Sequence, residues 1–434
     1  MDTPTTSTIP GILGLSTLDA RNQHLLALDP PKHYTCLPCG LPAELWNIIM
    51  DYLHDDKDAL MSCLRACRGW GDFCRYHVYD TFIWSVIDEF DDTQCMFHPC
   101  PRYVRHLALN GGFLDELADG YDVEWLMPLA RHLDEFVSVV HLEVESVDWD
   151  DVFETKAWNT FCAASGFLSQ IKSLDLSNIP LQPFQNILDS ICLFPALEKL
   201  DYLPSHVDID DEDLDLQLCA PSRSWRVFST EHAPLQLPTS GFWTWLSAVT
   251  FTSLQTIRLD SVPTSDLSSL TSYLHLLGAS LRNFRVRFVT PHDIHDFAQS
   301  GALVKSTGLQ RLELVGFIRQ YHDNTIWVGE ESLTFLTTIP GGSLYCLDII
   351  MDNTSRRVAE SSPSHSSALD GLLTSSDRFT ALKRVHLTAA LEYSDEARKS
   401  FPRCQRAGLL TMSAKKPNEF LATLESHNQC TEDN

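Results

Sequence analysis

One short pattern of apolar and polar positions, apolar-x-x-apolar-x-apolar, recurs along most of the chain. It stands as VRHLAL from Val104, VVHLEV from Val139, IKSLDL from Ile171, LEKLDY from Leu197 and LQTIRL from Leu254. It continues as LRNFRV from Leu281, LQRLEL from Leu309, LYCLDI from Leu344 and LKRVHL from Leu382, and a degenerate copy, WRVFST from Trp225, fills the one wide gap. The last two apolar positions of each copy are two apart, so both face one side of a strand. No single copy can bury that face, but stacked neighbours bury it together. Helix-spaced segments lie between the copies. Phe184, Ile187, Leu188 and Ile191 form one such stripe within 183–194, and Leu267, Leu270, Tyr273, Leu274 and Leu277 form another within 265–278. Ser265 is placed to cap the latter and Gly278 to end it. Segments 291–304 and 330–339 read the same way.

The copies start 26 to 38 residues apart, near the roughly 20–29 residues of a leucine-rich repeat, with longer units at both ends. Strand then helix, repeated, predicts an α/β solenoid with parallel strands on its concave face. A doubly wound α/β sheet also alternates strand and helix. It is disfavoured by the self-similarity of the units and by the lack of a glycine-rich phosphate loop after any strand.

Just before the repeats lies LPAELWNIIMDYLHDDKDALMSCLRACRGWGDFCRYHVYDTF, residues 41–82. Pro42 suits a first helical turn. Leu45, Ile48, Ile49, Tyr52 and Leu53 form a helical stripe, the polar HDDKD at 54–58 is a turn, and Ala59, Leu60, Cys63, Leu64 and Cys67 form a second stripe ending near Trp70. A third short segment follows to Phe82. Such a three-helix unit is small enough to be marginal alone and to need a partner surface. The run resembles an F-box, the module through which substrate receptors join SCF-type ubiquitin ligases. Leu41-Pro42-x-Glu44-Leu45 resembles its opening, Ile49 and Leu53 its following apolar positions, and Ala66-Cys67-Arg68-x-Trp70 its closing V-C-R-x-W, with Ala in place of Val. The resemblance covers about 40 residues, and the array behind it is similar, less specifically, to leucine-rich-repeat F-box proteins of mushroom-forming fungi.

This resemblance implies a small all-helical F-box module followed by a leucine-rich-repeat-like solenoid. It implies binding of the linker subunit, and through it cullin, by Leu41, Pro42, Leu45, Ile48, Ile49 and Leu53. Leu60, Leu64, Cys67 and Trp70 would supply a second surface and the internal packing. The chain would then be a non-catalytic substrate receptor, holding an unknown protein target for ubiquitin transfer. The alternative is an interaction scaffold that binds the linker without cullin.

Residues flanking the last two apolar positions of each copy point to the opposite, open side. The candidate target-binding residues are therefore Glu143, Glu145, Asp175, Asp201, Arg258, Arg285, Arg287, Arg311 and Arg384, with His141, Lys199, Glu313 and His386 among their neighbours. Acids dominate the early units and arginines the later ones, which suits a partner with basic and acidic stretches in order. Arg285, Arg287 and Arg311 are also placed to pair with a phosphate.

Charge narrows the partners. The 58 acids against 32 Lys and Arg leave a formal net charge of −26, which repels nucleic acid and anionic lipid surfaces. Thirteen acids and one arginine fall within 115–154, and six acids within 208–215; both read as solvated segments. Thirteen cysteines, an odd and unpatterned set, point to reduced thiols in a cytoplasmic or nuclear protein. No apolar run reaches the roughly 20 residues of a membrane span, and the N-terminus lacks the features of a secretory signal. Cys36-x-x-Cys39 supplies two of the four ligands of a structural zinc site and no second pair follows. No metal or other cofactor is predicted, and no catalytic motif is present. The expected organisation is a disordered arm over 1–36, the helical module over 37–82, the solenoid over 83–411 with a Ser-rich loop at 353–368, and a flexible tail over 412–434.

Overall fold

The structure, a computed structural model, describes residues 43–66, 70–85, 101–111, 123–147, 155–179, 184–204, 219–230, 239–320, 326–353, 364–375, 377–391 and 394–415. The expected N-terminal arm, Leu41, Pro42, Cys67, the Cys36/Cys39 pair, the acidic run 208–215 and most of the expected tail lie outside these residues. The chain divides into two compact units between Asp80 and Thr81.

The described residues of the first unit form three helices: α1 (Ala43–Tyr52), α2 (Lys57–Ala66) and α3 (Gly71–Val78). Asp56 caps α2, its carboxylate accepting the Ala59 N–H at 2.8 Å. The core is small. Trp46 and Met50 of α1 meet Leu60 of α2 and Cys74 of α3, and Leu53, Leu64 and Trp70 pack around them half-buried. The Trp46 and Trp70 rings lie 4.7 Å apart.

The second unit is an open, 13-stranded sheet with mixed α/β composition. Its strands are β1 (Thr81–Ser85), β2 (His106–Asn110), β3 (His141–Glu145), β4 (Ser173–Ile179), β5 (Lys199–Pro204), β6 (Val227–Ser229), β7 (Thr256–Leu259), β8 (Asn283–Arg287), β9 (Arg311–Gln320), β10 (Ile326–Trp327), β11 (Cys346–Asn353), β12 (Arg384–Ala390) and β13 (Leu410–Lys415). Each strand pairs in parallel with the next in sequence, except that β10 lies antiparallel on the end of β9 while β9 itself pairs with β11. A doubly wound sheet would reverse its strand order at a switch point. This order never reverses, so the arrangement is that of a leucine-rich-repeat-like solenoid.

The ten sequence copies all become strands, each beginning two residues into its copy. Their apolar positions form continuous ladders. Leu107, Leu142, Leu174, Leu200, Phe228, Ile257, Phe284, Leu312, Leu347 and Val385 are successive rungs, all buried. The opening apolar residue of every copy is buried as well. Helices over the same side complete one core: α4 (Lys156–Ala163), α5 (Phe184–Cys192), α6 (Ser240–Ala248), α7 (Leu267–Leu277), α8 (Pro291–Ser300), α9 (Glu330–Thr338) and α10 (Ser366–Leu373). Among the described residues no helix is long and apolar enough to cross a membrane.

Three boundaries differ from the sequence reading. Strand β1 begins at Thr81, inside the segment assigned to the helical module, and β13 runs to Lys415, past the expected start of the tail. The Ser-rich block is flanked by structure, since Asn353 ends β11 and Ser366 opens α10. Ser265 does not cap α7. Its hydroxyl donates to buried Asp266, whose carboxylate in turn accepts from the Thr239 backbone and hydroxyl and so ties α7 to the start of α6. Gly278 does end α7, at φ 50°. Gly316 marks the departure of β9 from regular pairing. It has φ 71°, and a Cβ there would lie 2.2 Å from the Phe288 carbonyl oxygen.

Helix α8 carries a complete capping box, with Thr290 Oγ1 accepting from Asp293 N–H at 3.2 Å and Asp293 accepting from Thr290 N–H at 2.7 Å. Thr290→Ala removes one half of it and will cost about 1 kcal/mol. A denaturant midpoint that does not move would show that this end of α8 is held by packing alone.

Candidate functional site

Two surfaces carry the candidate residues, one on each unit. On the helical unit, α1 is apolar on both sides. Trp46 and Met50 face inward, while Leu45, Ile48, Ile49 and Tyr52 are exposed, Ile48 by 51% and Tyr52 by 85%. These side chains form a cluster of exposed apolar residues on a small unit. Leu60 is fully buried, so its role is internal packing, and Leu53, Leu64 and Trp70 pack half-buried against the same core. Among the described residues of α1, the exposed apolar side chains are Leu45, Ile48, Ile49 and Tyr52.

On the repeat unit, the sheet face turned away from the helical core is polar. Five of the nominated residues form successive rungs of one ladder across it: Glu143, Asp175, Asp201, then Ser229, then Arg258 and Arg285. The same ladder continues through Glu313, Asp348 and His386 to Thr411. Arg311 and Arg384 stand one ladder aside, separated by Cys346. Glu145 and Arg287 lie two residues further along their strands.

The acidic end is compact. Glu143 Oε2 lies 2.8 Å from His106 Nε2, and the His106 and His141 rings meet edge to face with centroids 4.3 Å apart. Contact with the His106 imidazole holds the Glu143 carboxyl below its usual range. Burial, then the neighbouring His106, lowers the pKa of His141. Asp175 is shifted the other way, by burial and then by Asp201 and Glu143, although the Ser177 hydroxyl donates to it at 2.9 Å. Lys199 pairs with Asp201, and Asn110 Nδ2 donates to Glu145 at 3.2 Å.

The arginine end is not a bare basic strip. Arg285 lies 3.5 Å from Glu313. Arg311 Nε donates to Asp348 Oδ2 at 2.6 Å, and Arg384 Nη2 is 3.9 Å from Asp348 Oδ1. Arg384 also donates to Cys346 Sγ from Nε at 3.2 Å and from Nη2 at 3.1 Å. Burial raises the Cys346 pKa despite these bonds, so the group is a thiol at neutral pH. Burial is the largest single influence on Arg311 and opposes its charge, but the bond to Asp348 together with the charges of Asp348 and Glu313 outweighs it and raises the Arg311 pKa. The expectation of basic residues waiting for a phosphate is thus corrected at Arg285 and Arg311, whose charge is engaged by acids of the same face. On the last strands His386 bridges Thr411 Oγ1 at 2.9 Å and Ser413 Oγ at 3.0 Å. The Ser413–His386 spacing is that of a nucleophile and its base. A hydroxyl occupies the second imidazole nitrogen, however, and the neighbouring Asp348 is committed to arginines.

Among the residues of this face that were not singled out from sequence are His106, Cys346 and Asp348. Each occupies a strand-flanking position of its copy, in VRHLAL or LYCLDI, so the signal was present.

No protein-family model matches the chain, and no curated protein matches its sequence. Solved structures give distant likenesses. One is the leucine-rich repeat-containing protein LegL7 from Legionella pneumophila, at 12% identity and TM-score 0.40, over 81% of this chain and 98% of that one. Another is a Bacteroides fragilis protein, at 11% identity and TM-score 0.37, over 71% of this chain and 74% of that one. The leucine-rich-repeat-like architecture rests on the strand order and ladders above.

Proposed function

We propose that the chain is the target-recognition subunit of an SCF-type ubiquitin ligase, binding the linker subunit through its helical unit and a protein target through the polar face of its repeat sheet. The observation that carries this reading is the exposed apolar stripe of α1. Leu45, Ile48 and Ile49 are the side chains that the F-box resemblance assigns to the linker, and they face solvent rather than the core. The repeat face supports the second half. It presents charged and polar side chains on a rigid sheet, the kind of surface that specifies a protein partner by complementary charge. The subunit contributes no chemistry of its own. It raises the effective concentration of the target's lysines near the transfer site.

The test is a pull-down of the linker protein, with and without cullin, comparing the intact chain with a Leu45→Ala, Ile48→Ala, Ile49→Ala variant. These side chains are outside the core, so the variant keeps its fold, which circular dichroism checks. Losing even one interface hot spot costs about 2 kcal/mol or more, so if this stripe holds one the linker affinity will fall by about 30-fold or more. Equal retention of both chains would refute the α1 surface. Linker binding that never recruits cullin would replace the ligase reading with a scaffold that stops at the linker.

A further inference from the structure

The acidic end of the repeat face, where Glu143 is also a candidate target-binding residue, gathers donor atoms of the kind that hold a metal ion. We propose that His106, His141 and Glu143 form a binding site for a divalent transition metal, Zn²⁺ first among them. His106 and His141 are opposite one another in register on β2 and β3, and Glu143 follows His141 by two residues on the same strand face. One donor atom from each of the three lies within 4.8 Å of the others. Ligand atoms around tetrahedral zinc are about 3.3 Å apart, from bond lengths of about 2.0–2.1 Å. The close pair, His106 Nε2 and Glu143 Oε2, lies at 2.8 Å, and no donor atom of the three is more than 4.8 Å from another. All three residues stand on paired strands, which hold their backbones in place around the site.

Two further observations point to a cation. His106 Nε2 is shielded from solvent yet makes no properly aligned hydrogen bond, although the Glu143 oxygen is near. A metal on that nitrogen would satisfy it together with the carboxylate. The surroundings are acidic as well. Asp175 is the next rung after Glu143, and Asp201 the rung after that. Two imidazoles and one carboxylate favour Zn²⁺, Co²⁺, Ni²⁺ or Cu²⁺ over Mg²⁺ and Ca²⁺, which take all-oxygen sets. Three protein ligands leave a fourth position open on the face assigned to the target.

The experiment uses the full chain carrying Cys36→Ser and Cys39→Ser, so that this pair does not compete for metal. Co²⁺ is titrated and followed by visible absorption, then displaced by Zn²⁺, with Mg²⁺ as a parallel arm. The parent will bind one equivalent of Co²⁺ with a tetrahedral-type spectrum, give it up to Zn²⁺ and ignore Mg²⁺. Glu143→Gln, nearly the same shape, and His106→Ala will each weaken that equivalent by more than about 100-fold, beyond what outer-shell changes cost. Zn²⁺ will raise the melting temperature of the parent but not of the variants. Parent and variants binding alike, or a parent that binds no Co²⁺, would overturn the site and leave His106 and Glu143 as a close side-chain contact. Neither result touches linker binding by α1.

Discussion

Trp225→Ala will destabilise the repeat unit by about 3–5 kcal/mol. Trp225 opens the degenerate copy, where the strand is shortest on the main path of the sheet: β6 has only three residues, Val227–Ser229. A short strand has few ladder bonds, so side-chain packing must hold the two halves of the sheet together at this point. Trp225 is fully buried, and its ring lies 5.6 Å from Phe251, 6.1 Å from Phe228 and 6.3 Å from Trp245. Its indole N–H donates to the Val227 carbonyl at 2.7 Å. Alanine would leave a cavity at the weakest joint and remove that bond. Trp225→Leu, which restores the repeat's usual residue, keeps part of the apolar volume but not the bond, and will cost about 2 kcal/mol. Urea midpoints give the ranking. Because a solenoid is stabilised by nearest-neighbour contacts, hydrogen exchange should quicken first in β5 to β7. A Trp225→Ala variant no less stable than Trp225→Leu would mean that β6 is held by its backbone pairing.

The repeat was legible because its pattern has a direct physical cause. Each copy's first apolar residue closes the turn before the strand and the next two line the core, so ten of the thirteen strands follow from spacing alone. The same template is present at two of the missed strands. Tyr79, Phe82 and Trp84 fit it at β1, and Leu409, Met412 and Ala414 fit it at β13. Both were hidden by context. The first overlaps the end of the third helix of the small unit, and the second runs into a polar tail. Strand β10 has two residues and leaves no periodic signal.

The sites were legible in position but not in balance. Sequence spacing placed Glu143, Asp175, Asp201, Arg258 and Arg285 on one face, and the register sets them as rungs of one ladder. It did not show that the arginines are answered by acids on neighbouring strands, because those acids are 28 to 37 residues away in sequence, as with Arg285–Glu313 and Arg311–Asp348. On α1 the stripe was legible, but not which of its residues stay outside. That depends on Trp46, which takes the inward position and turns Leu45, Ile48 and Ile49 to solvent.

Those long-range pairs set up the second large effect, which is asymmetric. Asp348 has a side chain only 5% exposed, whereas Arg311 is 51% exposed. Removing the arginine strands a buried carboxylate, whose remaining contacts are Arg384 at 3.9 Å and the Cys346 thiol at 3.4 Å. Removing the carboxylate leaves an arginine that turns into water or toward Glu313, 3.8 Å away. Arg311→Ala will therefore cost about 2–3 kcal/mol, somewhat below a fully buried broken pair because Arg384 remains. Asp348→Asn will cost about 1 kcal/mol or less, since the released charge is solvated. Arg311→Lys will fall between them, keeping the charge but not the directed Nε–H bond. The double variant Arg311→Ala, Asp348→Asn will recover part of the loss of Arg311→Ala alone, because no buried charge is left without its partner. Urea midpoints of the four variants decide the matter. If Asp348→Asn proves as damaging as Arg311→Ala, the carboxylate acts by anchoring the arginines rather than by needing them.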